Sequence, residues 1–389
     1  MMTPTSSHDA ATVLVIGAGP AGLATSRELS VRGVDHLVLE RGDRIGHVWA
    51  NLYDGLVLHT GKHLSALPGM AFPASAPLFP TRRDFLDYLH RYAESFQTPV
   101  QTNTEVAGVE RAHDGWVVRT RQRSAASWTR GADLRSRIVV LATGIVSNPH
   151  VPAIPTHDRF RGRIIHSVAY RRPGAFVGHR VLVVGAGNSA AEISVELARA
   201  GAHVTIAVRS GARVVPRELF GIPIQYFAVA LAALPRPMNR LVNELVTSLS
   251  ARSRGPAVLP RAASRQCSNV PLIGFHLIDA IRAATIRLKG GVSEFTADGV
   301  RFDDGSEEAF DHVILATGYR AAVRALGDLI RTDDCGFATR HTRVVSRDQP
   351  DLYFVGHNYD TRGGLRNIAQ DARLAAKLVA RSLSPIPNR

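Results

Sequence analysis

The sequence predicts an α/β fold of two Rossmann-like domains, each of the three-layer ββα type, with a helical insertion in the second. Three observations predict it. Two glycine-rich turns, Gly17-Ala18-Gly19-Pro20-Ala21-Gly22 and Gly185-Ala186-Gly187-Asn188-Ser189-Ala190, each follow a short apolar run and open a helical stretch. Each continues into a second apolar run, His36-Leu37-Val38-Leu39 and Val204-Thr205-Ile206-Ala207-Val208. Two later strands, Val139-Val140-Leu141-Ala142-Thr143-Gly144 and Val313-Ile314-Leu315-Ala316-Thr317-Gly318-Tyr319, both run out into Ala-Thr-Gly. Together they describe two dinucleotide-binding units in one chain, and so redox chemistry passing between two nucleotides.

The strand Thr12-Val13-Leu14-Val15-Ile16 is apolar throughout, as burial on both faces requires. Gly17 then permits the tight turn, Gly19 lets a pyrophosphate approach the backbone, and Gly22 allows close helix–strand packing. Pro20 and Ala21 start the helix, whose unpaired N–H groups and positive dipole end face the phosphates. Glu40 closes the second strand where a carboxylate meets a ribose hydroxyl, and Arg41 follows it. Ala142, Thr143 and Gly144 belong to the same cofactor-binding set.

The second turn repeats this grammar after Arg180-Val181-Leu182-Val183-Val184, with Ala190 replacing the third glycine. Gly185, Gly187, Asn188 and Ser189 form its cradle. The strand that follows ends not in a carboxylate but in Arg209-Ser210, and arginine there favours a 2′-phosphate. The second unit is therefore expected to take NADPH.

At 389 residues the chain accommodates two domains, each with its own core. The first is assigned residues 1–155 and 313–389, the second residues 156–312. Asp114-Gly115 between strand-like runs marks an antiparallel meander in the first, and Gly363-Gly364 opens a final amphipathic helix. The net charge of +14 comes from scattered arginine with only three lysines, so no nucleic acid is expected as a partner. Cys267 and Cys335 form no C-x-x-C, which argues against a dithiol reductase, and no histidine spacing suggests a metal. No run reaches the length of a membrane span, and the polar start of the chain reads as a cytoplasmic tail. The apolar, helical insertion at 216–260 has three readings: a wall of a substrate passage, a peripheral membrane contact, or a homodimer surface.

Between the two turns lies Phe160-Arg161-Gly162-Arg163-Ile164-Ile165-His166-Ser167-Val168-Ala169-Tyr170. Here the chain resembles the class B flavin-dependent monooxygenases, whose pattern F-x-G-x-x-x-H-x-x-x-[YF] is met by Phe160, Gly162, His166 and Tyr170. Within that class it looks most like the YUCCA group, the plant indole-3-pyruvate monooxygenases. Leu58-His59-Thr60-Gly61-Lys62, Leu67-Pro68, Phe72-Pro73, Pro80-Thr81, Val208-Arg209-Ser210 and Ala316-Thr317-Gly318-Tyr319 carry that likeness.

The resemblance implies FAD on the first turn, with Trp49 and His59 near the flavin, Val106 beside the adenine, and Gly356 and Leu365 completing the set. It implies NADPH on the second, with Thr317, Gly318 and Tyr319 nearby. His166 is read either as a general base or as a residue fixing a linker turn. The implied reaction uses O₂: flavin reduced by NADPH forms a C4a-(hydro)peroxide that oxygenates a small organic substrate. Oxidative decarboxylation of a 2-oxo acid competes with N-, S- or Baeyer–Villiger oxygenation, and a non-oxygenating NADPH–flavin oxidoreductase is the alternative. Two departures stand out. His357 follows Gly356 where related flavoproteins carry an aspartate, and the insertion at 216–260 does not align.

Overall fold

A computed structural model describes residues 10–124, 127–232, 257–260 and 271–384. The strand Ala10–Ile16 lies parallel between His36–Leu39 and the far half of a long strand, Ser127–Leu141. Val100–Gln101 extends one side of this sheet, and Leu352–Phe354, from near the end of the chain, pairs with Val139–Leu141 on the other. The near half of Ser127–Leu141 continues into an antiparallel meander with Gly115–Ser124 and Thr104–Ala112, the hairpin turning at His113-Asp114. Helices Pro20–Ser30, Arg82–Ser95 and Gly364–Leu383 cover one face through Leu23, Phe85, Tyr88, Ala372 and Val379. The meander covers the other through Trp116, Val118 and Leu134. Three layers result, because strands apolar on both faces need cover on both.

The second unit has the same plan. Five parallel strands run in the spatial order Ile286–Lys289, His203–Ala207, Arg180–Val184, His312–Leu315, Arg163–His166. Helix Asn188–Arg199 covers one face, and a three-stranded antiparallel piece (Val292–Phe295, Gly299–Phe302, Glu307–Ala309) joins the cluster on the other.

One expected boundary moves. Residues 313–315 were assigned to the first domain, yet His312–Leu315 pairs with Arg180–Val184 and Arg163–His166 of the second. The crossover to the first unit follows this strand, just as the crossover out of it follows Leu141. Two antiparallel linkers result, tied by Arg320 N–H to the Asn148 carbonyl and Ala322 N–H to the Gly144 carbonyl, both at 3.0 Å. Of the insertion, the described part includes a hairpin (Glu218–Leu219 with Ile222–Pro223), helix Ile224–Ala232 and residues 257–260; residues 233–256 lie outside the described residues. Among the described residues no helix is long and apolar enough to cross a membrane. Cys335 is disulfide-bonded, and Cys267 lies outside the described residues.

Candidate active site

The two glycine turns are built alike. Gly17 has φ +106°, and a Cβ there would stand 2.8 Å from the Ala142 carbonyl oxygen; Gly185 has φ +130° and is pressed against the Ala316 carbonyl. Each first glycine is thus wedged under the Ala-Thr-Gly end of the neighbouring strand. Gly22 is excluded from any larger residue because its Cβ would overlap the Gly17 carbonyl oxygen. Gly19 and Gly187 are the opposite case: a Cβ at either meets no protein atom within 4 Å. Both are helix N-caps without a side-chain cap, so the first-turn N–H groups face open space. That combination fits a pyrophosphate in each unit.

Gly17, Gly19, Pro20, Ala21, Glu40, Arg41, Trp49, Val106, Ala142, Thr143, Gly144 and Gly356 together line one cleft of about 490 Å³. The Glu40 carboxylate stands at its edge, accepting from the N–H groups of Ala18 (2.8 Å) and Gly42 (2.7 Å). Trp49 packs edge-on against Phe85, 4.5 Å between ring centres, which fixes its indole at the wall. His47, Thr104, Arg121, Ser147, Asn148, Arg324 and Tyr359 also line the cleft and were not expected there. Arg121 enters through its cross-strand register with Glu105, a pairing that local sequence does not display.

Two further residues of the expected flavin set, Leu365 and His59, are not in the lining of this cleft. Leu365 is buried in the core of the first unit, and Ile368, one turn further along the same helix, lines the cleft in its place. His59 turns to the other unit: its Nε2–H donates to Glu192 Oε1 at 2.7 Å. The Tyr53 hydroxyl donates to the other oxygen of Glu192, so one carboxylate on helix Asn188–Arg199 is held by two side chains of the first unit. Burial opposes the charge of Glu192, but the His59 hydrogen bond and charge, with the Tyr53 hydroxyl, outweigh it and hold its pKa below the ordinary value. One turn on, Glu196 accepts from the Tyr170 hydroxyl at 2.8 Å; burial there prevails and raises its pKa.

Gly185, Gly187, Asn188, Ser189, Arg209 and Ser210 gather in the second unit. The Asn188 side chain is committed to the fold, donating to the Pro271 carbonyl (3.0 Å) and accepting from the Ile273 N–H (2.8 Å). Arg209 is exposed and makes no hydrogen bond or ion pair among the described residues. Thr317, Gly318 and Tyr319 belong to the crossover linker: the Thr317 hydroxyl donates to the His150 carbonyl at 2.6 Å, and the Gly318 carbonyl accepts from the His150 N–H.

His166 has both ring nitrogens occupied by backbone. Nδ1 accepts from the Val168 N–H (3.2 Å), so Nε2 carries the proton and donates to the Gly318 carbonyl at 3.1 Å. Burial lowers its pKa and keeps it neutral. Of the two readings of this histidine, the geometry favours the linker-fixing one over the general base.

Two nucleotide cradles in separate units, joined by paired linkers and clasped at Glu192, define a two-dinucleotide oxidoreductase. The family model for flavin-binding monooxygenase-like proteins matches residues 10–335. The chain is 34% identical over 380 residues to an indole-3-pyruvate monooxygenase YUCCA1 of Oryza sativa subsp. japonica, covering 94% of this chain and 90% of that protein. It is 35% identical over 375 residues to a probable indole-3-pyruvate monooxygenase YUCCA1 of Arabidopsis thaliana, covering 92% and 87%. A flavin-containing monooxygenase from Stenotrophomonas maltophilia shares the fold with TM-score 0.75 at 23% identity, over 97% of this chain and 100% of that one. A cyclohexanone monooxygenase from Rhodococcus sp. Phi1 does so with TM-score 0.72 at 19% identity, over 97% and 85%.

The chain belongs to the flavin-binding monooxygenase-like family. It is a monooxygenase that uses FAD and NADPH.

Proposed function

We propose that this enzyme converts an indole-3-pyruvate-like 2-oxo acid to the acid one carbon shorter. The overall reaction consumes the 2-oxo acid, O₂, NADPH and H⁺, and yields the shortened acid, CO₂, NADP⁺ and water. The observation that carries this reading is the identity with indole-3-pyruvate monooxygenases, sustained through both nucleotide units over more than nine-tenths of the chain.

In this reading FAD occupies the cleft of the first unit, with Gly19 and the helix behind it at the diphosphate and Glu40 at the ribose. NADPH lies on Gly185, Gly187 and Ser189 of the second unit, with Arg209 at the 2′-phosphate. Bound flavin supplies the activation of O₂ that no side chain provides. The chain's own residues do the positioning. The Gly144 and Gly318 linkers hold the two cradles in register, His166 pins the second linker, and Glu192 ties the nucleotide helix to Tyr53 and His59.

The test is turnover of indole-3-pyruvate under isotopically heavy O₂. The expected result is one heavy oxygen atom in the acid product and one CO₂ for each NADPH consumed. NADPH consumption with hydrogen peroxide and no CO₂, or heavy oxygen appearing only in an amine, sulfide or ester product, overturns the reading.

A further inference from the structure

We propose that Arg217 is the group that recognises the substrate's carboxylate; the assignment rests on the 2-oxo acid reading above. Arg217 lies between the short strand Val214–Val215 and the hairpin Glu218–Leu219/Ile222–Pro223, where the second unit leans over the first. Its guanidinium stands 4.1 Å above the centre of the Phe79 ring, and Nη2 donates to the Leu58 carbonyl at 3.1 Å. Phe79 and Leu58 belong to the flavin-side unit, so the side chain crosses the gap between the units. Its Nε is buried without a partner, and no carboxylate lies within ion-pair distance among the described residues. Stacking fixes the plane of the guanidinium, and donors of that plane remain unused.

The surroundings share this shortage of partners. Gln225 donates to the His59 carbonyl at 2.9 Å, while its Oε1 is buried and unpaired. His276 Nε2 is also buried and unpaired, within electrostatic reach of Glu192, His59 and Arg217. Native interiors leave few such atoms, because each costs the desolvation of a polar group without a replacement bond. Glu192 and Glu218 act on Arg217 through charge, yet neither hydrogen-bonds it among the described residues; the bonds that Glu192 accepts come from Tyr53 and His59.

A chain of contacts leads from the cluster toward the cleft of the first unit. Thr60, next to His59, comes within 3.1 Å of where a Cβ on Gly363 would stand. Gly363 caps the final helix, and Ile368 of that helix lines the cleft. A ligand between Arg217 and the cleft would therefore present one end to a stacked guanidinium and the other to the flavin. A 2-oxo acid has that form: a carboxylate that a guanidinium binds in-plane through two N–H groups, beside the ketone that reacts. A neutral sulfide or ketone offers no charge to pair with such a group, and a protonated amine is repelled by it.

The test compares indole-3-pyruvate with its methyl ester, which keeps the ring and the ketone and removes the charge. Binding to the oxidised holoenzyme is followed by the change in flavin absorbance, in wild type, Arg217→Gln and Arg217→Lys. Arg217→Gln should weaken the acid about 10- to 150-fold, as loss of hydrogen bonds to a charged group does, and leave the ester within about threefold. Arg217→Lys should recover part of the acid affinity. Equal weakening of acid and ester shows a packing role on Phe79 and overturns the proposal; so does an unchanged affinity for the acid. If wild type decarboxylates the 2-oxo acid and Arg217→Gln binds it equally well, only this assignment fails. If wild type neither binds nor converts the acid, the 2-oxo acid reading fails and this assignment with it.

Discussion

Replacing Arg209 with alanine tests the clearest difference between the two nucleotide turns. The Gly17 N–H donates to the Leu39 carbonyl at 2.7 Å and the Gly185 N–H to the Ala207 carbonyl at 3.0 Å, which makes Leu39 and Ala207 equivalent positions. One residue on, the Glu40 N–H donates to Gln101 and the Val208 N–H to Lys289 across the same step of the sheet. Val208 therefore stands where Glu40 stands, and the second unit has no carboxylate at that position to repel a 2′-phosphate. Arg209 follows, exposed and without a partner among the described residues. Its truncation leaves nothing unpaired, so stability should move by no more than about 0.5 kcal/mol. A 2′-phosphate loses charge-assisted bonds worth about 1.5–3 kcal/mol, a 10- to 150-fold rise in the NADPH dissociation constant. NADH has no such phosphate and should shift less than about twofold by the same accounting. Anaerobic stopped-flow reduction of the flavin against nucleotide concentration measures both, and repeating it at high salt should shrink the wild-type preference for NADPH. Equal loss for both nucleotides, or loss for neither, refutes the role of Arg209.

The remaining predictions concern the cradle, the linker and a buried histidine. Gly19→Ala adds a methyl group to open space, so it should cost less than about 1 kcal/mol of stability while reducing FAD retention. Gly22→Ala forces an overlap with the Gly17 carbonyl and should cost about 1–3 kcal/mol; thermal melts with and without added FAD distinguish the two. His166→Asn should destabilise by about 1–3 kcal/mol through the lost bonds to Gly318 and Val168, yet slow turnover less than about tenfold; a drop of two to four powers of ten would restore a general-base role. His357 is fully buried with neither ring nitrogen bonded, and burial, with Arg340 beside it, lowers its pKa to about 3. The folded state thus holds it neutral while the unfolded chain binds a proton below the ordinary value of 6.5. Its contribution is complete above that pH and declines by about 1.4 kcal/mol per unit as pH falls from there toward 3. His357→Leu should remove this slope in denaturant unfolding between pH 7 and about 4.5; a wild-type minus variant difference that does not change with pH contradicts it.

Much of the site was legible because local backbone geometry dictates residue type. Gly17 must turn at positive φ beneath Ala142, Gly22 must admit the strand, and the Asp114-Gly115 hairpin must fold the meander back. Such constraints act over a few residues and leave their mark there. What local sequence does not display is set by packing at long range. The strand His312–Leu315 is apolar on both faces, a composition that suits either sheet, and only its pairing with Arg180–Val184 decides. Leu365 and Ile368 lie on the same apolar stripe, so periodicity alone does not say which meets the cleft. His59 reaches Glu192 across the join of the two units, and Arg121 reaches the cleft through strand register; neither contact has a local signature.

The motif between the two turns is legible for a different reason. Phe160 folds over Gly162, where a Cβ would also stand 2.6 Å from the Asp311 carbonyl oxygen, and this seats the start of Arg163–His166 against His312–Leu315. His166 pins Gly318 in the linker, and Tyr170 reaches Glu196 on the nucleotide helix. None of the four lines the cleft of the first unit: Phe160, Gly162 and Tyr170 brace the second unit internally, and His166 ties it to the linker. Hydride transfer between two bound nucleotides needs reacting atoms within about 3–3.5 Å, and small errors in placement cost rate steeply. A joint that holds this separation is then as diagnostic of the reaction as a reactive side chain would be. The clasp of Tyr53 and His59 on Glu192 holds the same helix from the opposite unit, so the placement is determined twice. Substrate choice is not bound by that demand. It falls instead to the residues that lean across the gap, of which Arg217 is the one with charge and donors still unspent.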